Sequence, residues 1–340
     1  MKNSFIADIE FDKELSEGAN NAINVCLRLK PEERITIITD NDTLEVACAL
    51  VHEIKKVGSE YSLFVIEDYT SRPSPNMPQP ILDDLAKSQV SIFCAQAQTG
   101  ELSMRIQMTS VVNSHKIRHG HMVNINKQIM LEAMRADYLA IDDLSQKLIT
   151  RARKARYIKA KSDAGTDIVA EFSHSLNWLK TSGIISVDKW GNLPGGEIFT
   201  SPKSVDGLFV VDGVVGDYLC QKYGDLKNNP LYIEIEDSRI MNMTCKNTAL
   251  LDDMTAYTMT DENSNRVGEF AIGTNIGINK VIGHILQDEK LPSIHMAFGH
   301  PYSEHTGADW VSTTHIDCVG IDINIWLEDD QVMEKGKFLI

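Results

Sequence analysis

Short apolar runs alternate with amphipathic stretches along the first half of the chain. Residues 12–30 (DKELSEGANNAINVCLRLK) carry helical periodicity and stop at Pro31. ERITIITD follows, an apolar strand at residues 35–39 closed by Asp40, Asn41 and Asp42. Asn41 or Asp42 can cap the next helix, TLEVACALVHEIKKVG, which places its basic residues in the last turn and ends at Gly58. YSLFVIE reads as a second buried strand. Strand, helix and strand in close succession make a βαβ unit and therefore a parallel sheet. PILDDLAKSQ and SIFCAQAQ repeat the pattern, and MVNIN is a shorter strand before a helix over residues 127–135. The expectation is an α/β N-terminal domain over residues 1–155. The charged stretch at 147–161 (KLITRARKARYIKAK) is a solvated helix end leading into a strand and forms the crossing to a second domain.

From about residue 160 the period shortens. DIVAEF, GLFVVDGVVGD and LYIEIEDSRI alternate apolar with polar positions. Asp212-Gly213, between two pairs of valines, predicts a type I′ hairpin. Helices are expected at DDMTAYTM and over residues 279–287, and a closing hairpin at VMEKGKFLI, turning at Lys335-Gly336. Residues 156–340 should form an α+β domain with a mixed or antiparallel sheet.

Composition narrows the function classes. The 340 residues are 43% hydrophobic and 24% charged, enough for two domains with real cores. A net charge of −15 argues against nucleic acid or an anionic membrane as partner. The six cysteines form no C-x-x-C pair and read as reduced, mostly buried thiols of a cytoplasmic protein. The N-terminus has no apolar core of a signal peptide, and no apolar run is long enough to span a bilayer. No G-x-G-x-x-G follows the first strand, so dinucleotide binding is unsupported.

The chemistry gathers between residues 293 and 320 (SIHMAFGHPYSEHTGADWVSTTHIDCVG), which hold His295, His300, His305 and His315, four of the ten histidines. His315 and Asp317 stand two apart in a β-branched, alternating segment, so both side chains share one face of a strand. Taken alone, such a pair is a hydrogen-bonded couple or a two-point grip on a divalent cation. Cys318, one residue on, should face away. Two glutamates change the picture. Glu197 (NLPGGEIFTSP) and Glu269 (NRVGEFAIGTN) each follow a glycine inside an apolar run. A carboxylate buried there must be paired, neutralised or metal-bound. Glu197, Glu269, His295, His315 and Asp317 together offer the N/O donor set that a site for two divalent metals requires. Glu289, six residues before His295, is a sixth ligand, a supporting partner or an exposed loop residue.

GGEIFTSP, RVGEFAIGTN, SIHMAFGHPY and HIDCVG, in this order, resemble the metal motifs of the M29 family of metallo-aminopeptidases, the aminopeptidase T, AmpS and PepS group. The likeness spans most of the chain and is sharp over residues 190–320. It implies that Glu197, Glu269, His295, His315 and Asp317 hold a pair of co-catalytic divalent ions (Zn, Co or Mn). It also implies that Tyr302, seven residues after His295, is catalytic, and that the protein is a cytoplasmic homodimer removing the N-terminal residue of a small peptide or amide analogue. Tyr302 would stabilise the oxyanion, and a glutamate, Glu197, would move the proton. The chain departs from the family in being short, with a trimmed segment between His295 and His315, so substrate specificity does not carry over. His300 and His305 in that segment have no clear family counterpart. A related group of similar length contains Fe(II)-dependent ring-cleaving dioxygenases of hydroxylated pyridines, in which a histidine stands where this chain has Glu269. That activity, or a degenerate metal-binding relative without turnover, is the alternative.

Overall fold

A computed structural model describes residues 10–340, and it divides the chain into two compact units. The first comprises Met1–Leu139 with Gly183–Gly195, the second Ala140–Ser182 with Gly196–Ile340. The division therefore falls after Leu139 rather than at residue 155, and a short excursion returns to the first unit. The charged segment at 147–161 lies inside the second unit, as the end of helix Tyr138–Ala152 and the strand Tyr157–Lys161.

The strands in chain order are β1 (Arg34–Thr39), β2 (Glu60–Val65), β3 (Val90–Cys94), β4 (Arg118–His121), β5 (Tyr157–Lys161), β6 (Asp167–Glu171), β7 (Leu179–Lys180), β8 (Gly191–Asn192) and β9 (Glu197–Thr200). They continue as β10 (Ser204–Val211), β11 (Leu231–Glu236), β12 (Arg239–Thr244), β13 (Val267–Gly273), β14 (Ile294–Gly299), β15 (His315–Val319), β16 (Asn324–Leu327), β17 (Asp330–Glu334) and β18 (Lys337–Phe338).

The first unit holds a parallel sheet in the order β2-β1-β3-β4-β8. Its central strands read as continuous apolar runs because helices cover both faces of such a sheet. Helix Leu44–Val57 ends at Gly58, whose φ of 85° lets the chain turn without a Cβ penalty. The order reverses between β1 and β3, the position where open α/β sheets commonly bind ligands. Here the chain's own side chains fill it. Arg72, 3% exposed, reaches Asp40 at 2.6 Å and Glu101 at 2.6 and 2.9 Å. The remaining acceptor positions take Thr43 and Gln96 on Asp40, and the backbone N–H groups of Ser74 and Gln98 on Glu101. All four carboxylate oxygens are thus hydrogen-bonded.

The expected strand MVNIN lies in a loop, since Asn124 takes a left-handed φ of 59°. The strand is the polar-looking RHGH just before it. Its histidines tolerate burial because they satisfy one another: Ser91 Oγ meets His119 Nδ1 at 2.8 Å, and His119 Nε2 meets His121 Nδ1 at 3.2 Å. Burial pulls the His119 pKa down to about 3, so this pair stays neutral.

The second unit has two antiparallel sheets, one in the order β12-β11-β10-β6-β5-β16-β17-β18 and one in the order β15-β14-β13-β9-β7. One apolar core draws on both, together with helices Tyr138–Ala152 and Thr248–Thr258. The helix expected at DDMTAYTM is the latter. Residues 279–287 are instead a loop with one helical turn, Ile285–Asp288, because Gly283 takes a φ of 75° and the Asp288 carboxylate accepts the N–H groups of Ile282, Gly283 and His284. Asp212-Gly213 does not close a hairpin. Gly213 N–H donates to Val319 O and Val319 N–H to Val214 O, so the second valine pair leaves β10 and joins β15. The terminal hairpin turns at Lys335 and Gly336, both with positive φ. Among the described residues no helix is long and apolar enough to cross a membrane.

Candidate metal centre

Alternation along the smaller sheet of the second unit sorts its residues into two faces. Ile198, Phe270, Ile272, Ile294, Met296, Phe298, Ile316 and Cys318 all enter the apolar core. The opposite face carries Glu197 on β9, Glu269 on β13, His295 on β14, and His315 with Asp317 on β15. Register brings them together: Glu197 lies opposite Gly273, Ala271 opposite His295, Glu269 opposite Ala297, Ala297 opposite Asp317 and Gly299 opposite His315. The partners are alanine or glycine, and at two of them backbone packs too closely for a side chain: a Cβ would come within 1.9 Å of Leu291 O at Gly273 and within 2.2 Å of Thr314 O at Gly299.

Glu269 owes its direction to a bulge. Val267 pairs with Phe298 and packs in the core, and two residues later Glu269 would face the same way in a regular strand. The register shift between them inserts Gly268 and turns Glu269 to the opposite face. Only glycine fits, because a Cβ at 268 would come within 2.1 Å of Gly299 O.

The convergence is close. Glu197, Glu269 and His295 are buried and each offers a ligand atom within 4.8 Å of the others. His295 Nε2 stands 3.5 Å from Glu197 Oε2 and 3.5 Å from Glu269 Oε1. The other oxygen of Glu269 faces His315 Nε2 at 3.8 Å, and His315 Nε2 lies 3.5 Å from Asp317 Oδ1. His315 Nδ1 donates to His300 O at 2.9 Å, which orients the ring and makes Nε2 the nitrogen that faces Glu269 and Asp317. His300 thus contributes through its carbonyl, and its ring Nδ1 accepts the Tyr302 N–H. His305 is exposed, in the short helix Ser303–Thr306, with Nε2 3.8 Å from Glu304.

Glu289 is half-buried, and its Oε1 contacts Lys290 Nζ at 2.6 Å. The same ammonium meets Glu197 Oε1 at 2.7 Å. Lys290, only 2% exposed, escaped the sequence reading because QDEKLPS looks like a solvated loop. The neighbouring Leu291 and Pro292 are the one trace of its burial. Thr181 Oγ1, also unforeseen, donates to Glu197 Oε1 at 2.7 Å.

Tyr302 follows β14 in a left-handed conformation (φ 50°, ψ 54°) and lays its ring 4.7 Å from that of His315. It is 37% exposed. Burial of its hydroxyl, reinforced by Glu269 and Asp317, holds its pKa well above the usual tyrosine value, so it is a neutral phenol able to donate.

Glu197 and Glu289 share the Lys290 ammonium, while Glu269 and Asp317 face imidazoles. Burial raises Glu289 to about 7, so four carboxylates against one ammonium leave two to three negative charges unbalanced when the imidazoles are neutral. The protein's own response is to protonate: burial opposes it, yet the surrounding acids raise His295 to about 9 and His315 to about 10. A buried donor set of hard oxygens and imidazole nitrogens with excess negative charge fits divalent cations.

A family model for thermophilic metalloproteases (M29) matches residues 140–324, which include every residue above. The chain belongs to the M29 family. Membership in this metalloprotease family carries divalent-metal use with it, and the buried Glu197–Glu269–His295 group is chemically suited to that use. No curated protein matches the chain. Two solved structures resemble this M29 chain over almost its whole length. One is wild-type AmpT from Thermus thermophilus, with a TM-score of 0.69 at 15% identity, covering 97% of this chain and 100% of that one. The other is 2,5-dihydroxypyridine dioxygenase from Pseudomonas putida KT2440, with a TM-score of 0.68 at 14% identity, covering 96% of each chain. At these identities the likeness is one of fold, an α/β unit with a parallel sheet plus a unit of antiparallel sheets.

Proposed function

We propose that this M29 chain is an aminopeptidase-type hydrolase that removes the N-terminal residue of a small peptide or amide analogue. In this reading two divalent ions are held by Glu197, Glu269, His295, His315 and Asp317. The observation that carries it is the placement of Glu269, whose two oxygens face two different imidazoles. One carboxylate shared between two nitrogen donors supports a paired centre, with Glu197 and His295 completing one half and His315 and Asp317 the other.

Divalent ions held there would act as Lewis acids that lower the pKa of water and polarise the scissile carbonyl. The protein's groups do the rest. Glu197 Oε1 is occupied by Lys290 and Thr181, so Oε2 is the oxygen offered to the centre, as ligand or as proton acceptor. The Tyr302 phenol, poised over His315, donates to the oxyanion as charge develops on it.

The shared fold with a dioxygenase makes Fe(II) chemistry the second reading, and a carboxylate at Glu269 supports the hydrolase. A screen of aminoacyl amides with Zn²⁺, Co²⁺ or Mn²⁺, run beside oxygen uptake on hydroxypyridines with Fe²⁺, separates the two. Amide hydrolysis is expected, with Glu269→Gln losing at least about 10²-fold in kcat/KM. Oxygen consumption without amide turnover would overturn the proposal.

A further inference from the structure

Lys290 carries a positive charge into a place where none was expected. It is 2% exposed, and its ammonium bridges Glu197 Oε1 at 2.7 Å and Glu289 Oε1 at 2.6 Å. Its backbone is fixed as well: Lys290 N–H donates to Gln287 O, and Lys290 O accepts the N–H of Asn275 beyond the end of β13. The side chain is therefore anchored at its root and clamped at its tip. Burying a lysine costs it much of its side-chain freedom, and a fold that needed only to neutralise charge could have dispensed with one of the acids instead.

The geometry of Glu197 shows what the clamp does. A carboxylate at a metal can bind through one oxygen or both, and it rotates between these modes unless held. Here Thr181 Oγ1 and Lys290 Nζ both sit on Oε1, so only Oε2 is presented to His295 Nε2. Glu289 is held at one oxygen by the same ammonium. On the other side of Glu269, His315 and Asp317 have no such clamp among the described residues: their support is the His300 carbonyl on His315 Nδ1.

We propose that Lys290 is a positioning residue of the metal centre, holding Glu197 to a single donor oxygen and Glu289 beside it, so that it sets the affinity of the Glu197–Glu269–His295 half while leaving the Glu269–His315–Asp317 half alone. This rests on the paired-metal reading above. The two halves are consequently unequal, one locked by a lysine and a threonine, the other by a main-chain carbonyl.

The test titrates metal-free full-length protein with Co²⁺, following heat and the visible absorption of bound cobalt. For the wild type two binding steps are expected. In Lys290→Met one step should weaken by about 10–100-fold and its absorption should change, with the other step intact. Lys290→Arg should recover most of the lost affinity. Thr181→Val, a milder change that leaves the ammonium in place, should weaken the same step by a few-fold. Wild-type affinities and spectra in both Lys290→Met and Thr181→Val, with only the melting temperature lowered, would overturn the proposal and leave the lysine a structural counter-charge. If Lys290→Met does not fold, unchanged Co²⁺ binding in Thr181→Val together with Lys290→Arg overturns it equally. A tighter first half in Lys290→Met would also overturn it, because the ammonium would then be competing with metal. Failure of the wild type to take up Co²⁺ at all would remove the paired-metal reading itself, and that outcome is distinct from every variant result.

Discussion

Two buried acidic clusters in this protein look alike in composition and differ in how far their atoms are satisfied. In the first unit, Asp40 and Glu101 surround Arg72, and each of their four oxygens accepts a hydrogen bond from within the unit. In the second unit, among the described residues, Glu269 faces only approaches of 3.5 and 3.8 Å to imidazole nitrogens, and His295 Nδ1 is buried without a partner. A closed network of this kind is structure, since adding a ligand would break bonds already made. An open one retains a demand for charge and donors, and that demand marks a binding site. Acidic residues alone would not have told the two apart. The difference lies in the accounting of lone pairs.

The largest expected effect falls on the closed cluster. Arg72→Met strands two buried carboxylates, and breaking such a network costs about 3–5 kcal/mol. Thermal or urea unfolding should show that loss, and added Zn²⁺ or Co²⁺ should not restore it. Recovery by metal would mean that this cluster, too, is a binding site, and the contrast would collapse.

Next comes the open cluster, probed at the proposed role of Tyr302. Tyr302→Phe keeps the ring and deletes the hydroxyl. A drop in kcat of about 10²–10³-fold is expected, with metal stoichiometry and melting temperature unchanged. Near-wild-type turnover would reduce Tyr302 to an aromatic lid packed against Phe199 and His315.

The smallest effect concerns pH and the neutral histidine pair of the first unit. His119 has a folded-state pKa of about 3, far below its ordinary value, because burial disfavours the charged form. Below pH 6.5 the unfolded chain therefore binds a proton that the folded chain refuses, and stability falls as the pH is lowered. At pH 5.5 the loss from this residue should be about 1–1.5 kcal/mol relative to neutral pH. Urea midpoints of wild type and His119→Gln across pH 5.5–7.5 isolate it, since His295 and His315 contribute to both proteins. Parallel pH profiles would show that His119 does not titrate in this way.

Much of this was legible in the residues themselves. Periodicity placed β1, β2 and β3 of the first unit, and i, i+2 spacing put His315 beside Asp317 and turned Cys318 into the core. The glycine before each glutamate pointed to tight backbone contact, which Gly196 and Gly268 both show. The rest depended on contacts distant in sequence. RHGH is a strand because Ser91 and two ring nitrogens settle one another's hydrogen bonds, which no local pattern reveals. Asp212-Gly213 has the chemistry of a hairpin turn, but the pairing surface of β15 competes for the valines that follow. Lys290 was hidden for the same reason: a charged loop and a buried clamp have the same composition.

The bulge at Gly268 also bears on how relatives of this chain should be compared. Phe270 and Glu269 are neighbours, and which of them looks at the imidazoles is decided by the count of residues between Val267 and the site, not by their identities. Loss of that one uncounted position would exchange the acid for a benzyl group while preserving every other letter of the strand. Two chains could then be nearly identical when written out and opposite in chemistry. Membership in a family can be scored by letters, but competence at this centre has to be scored by spacing.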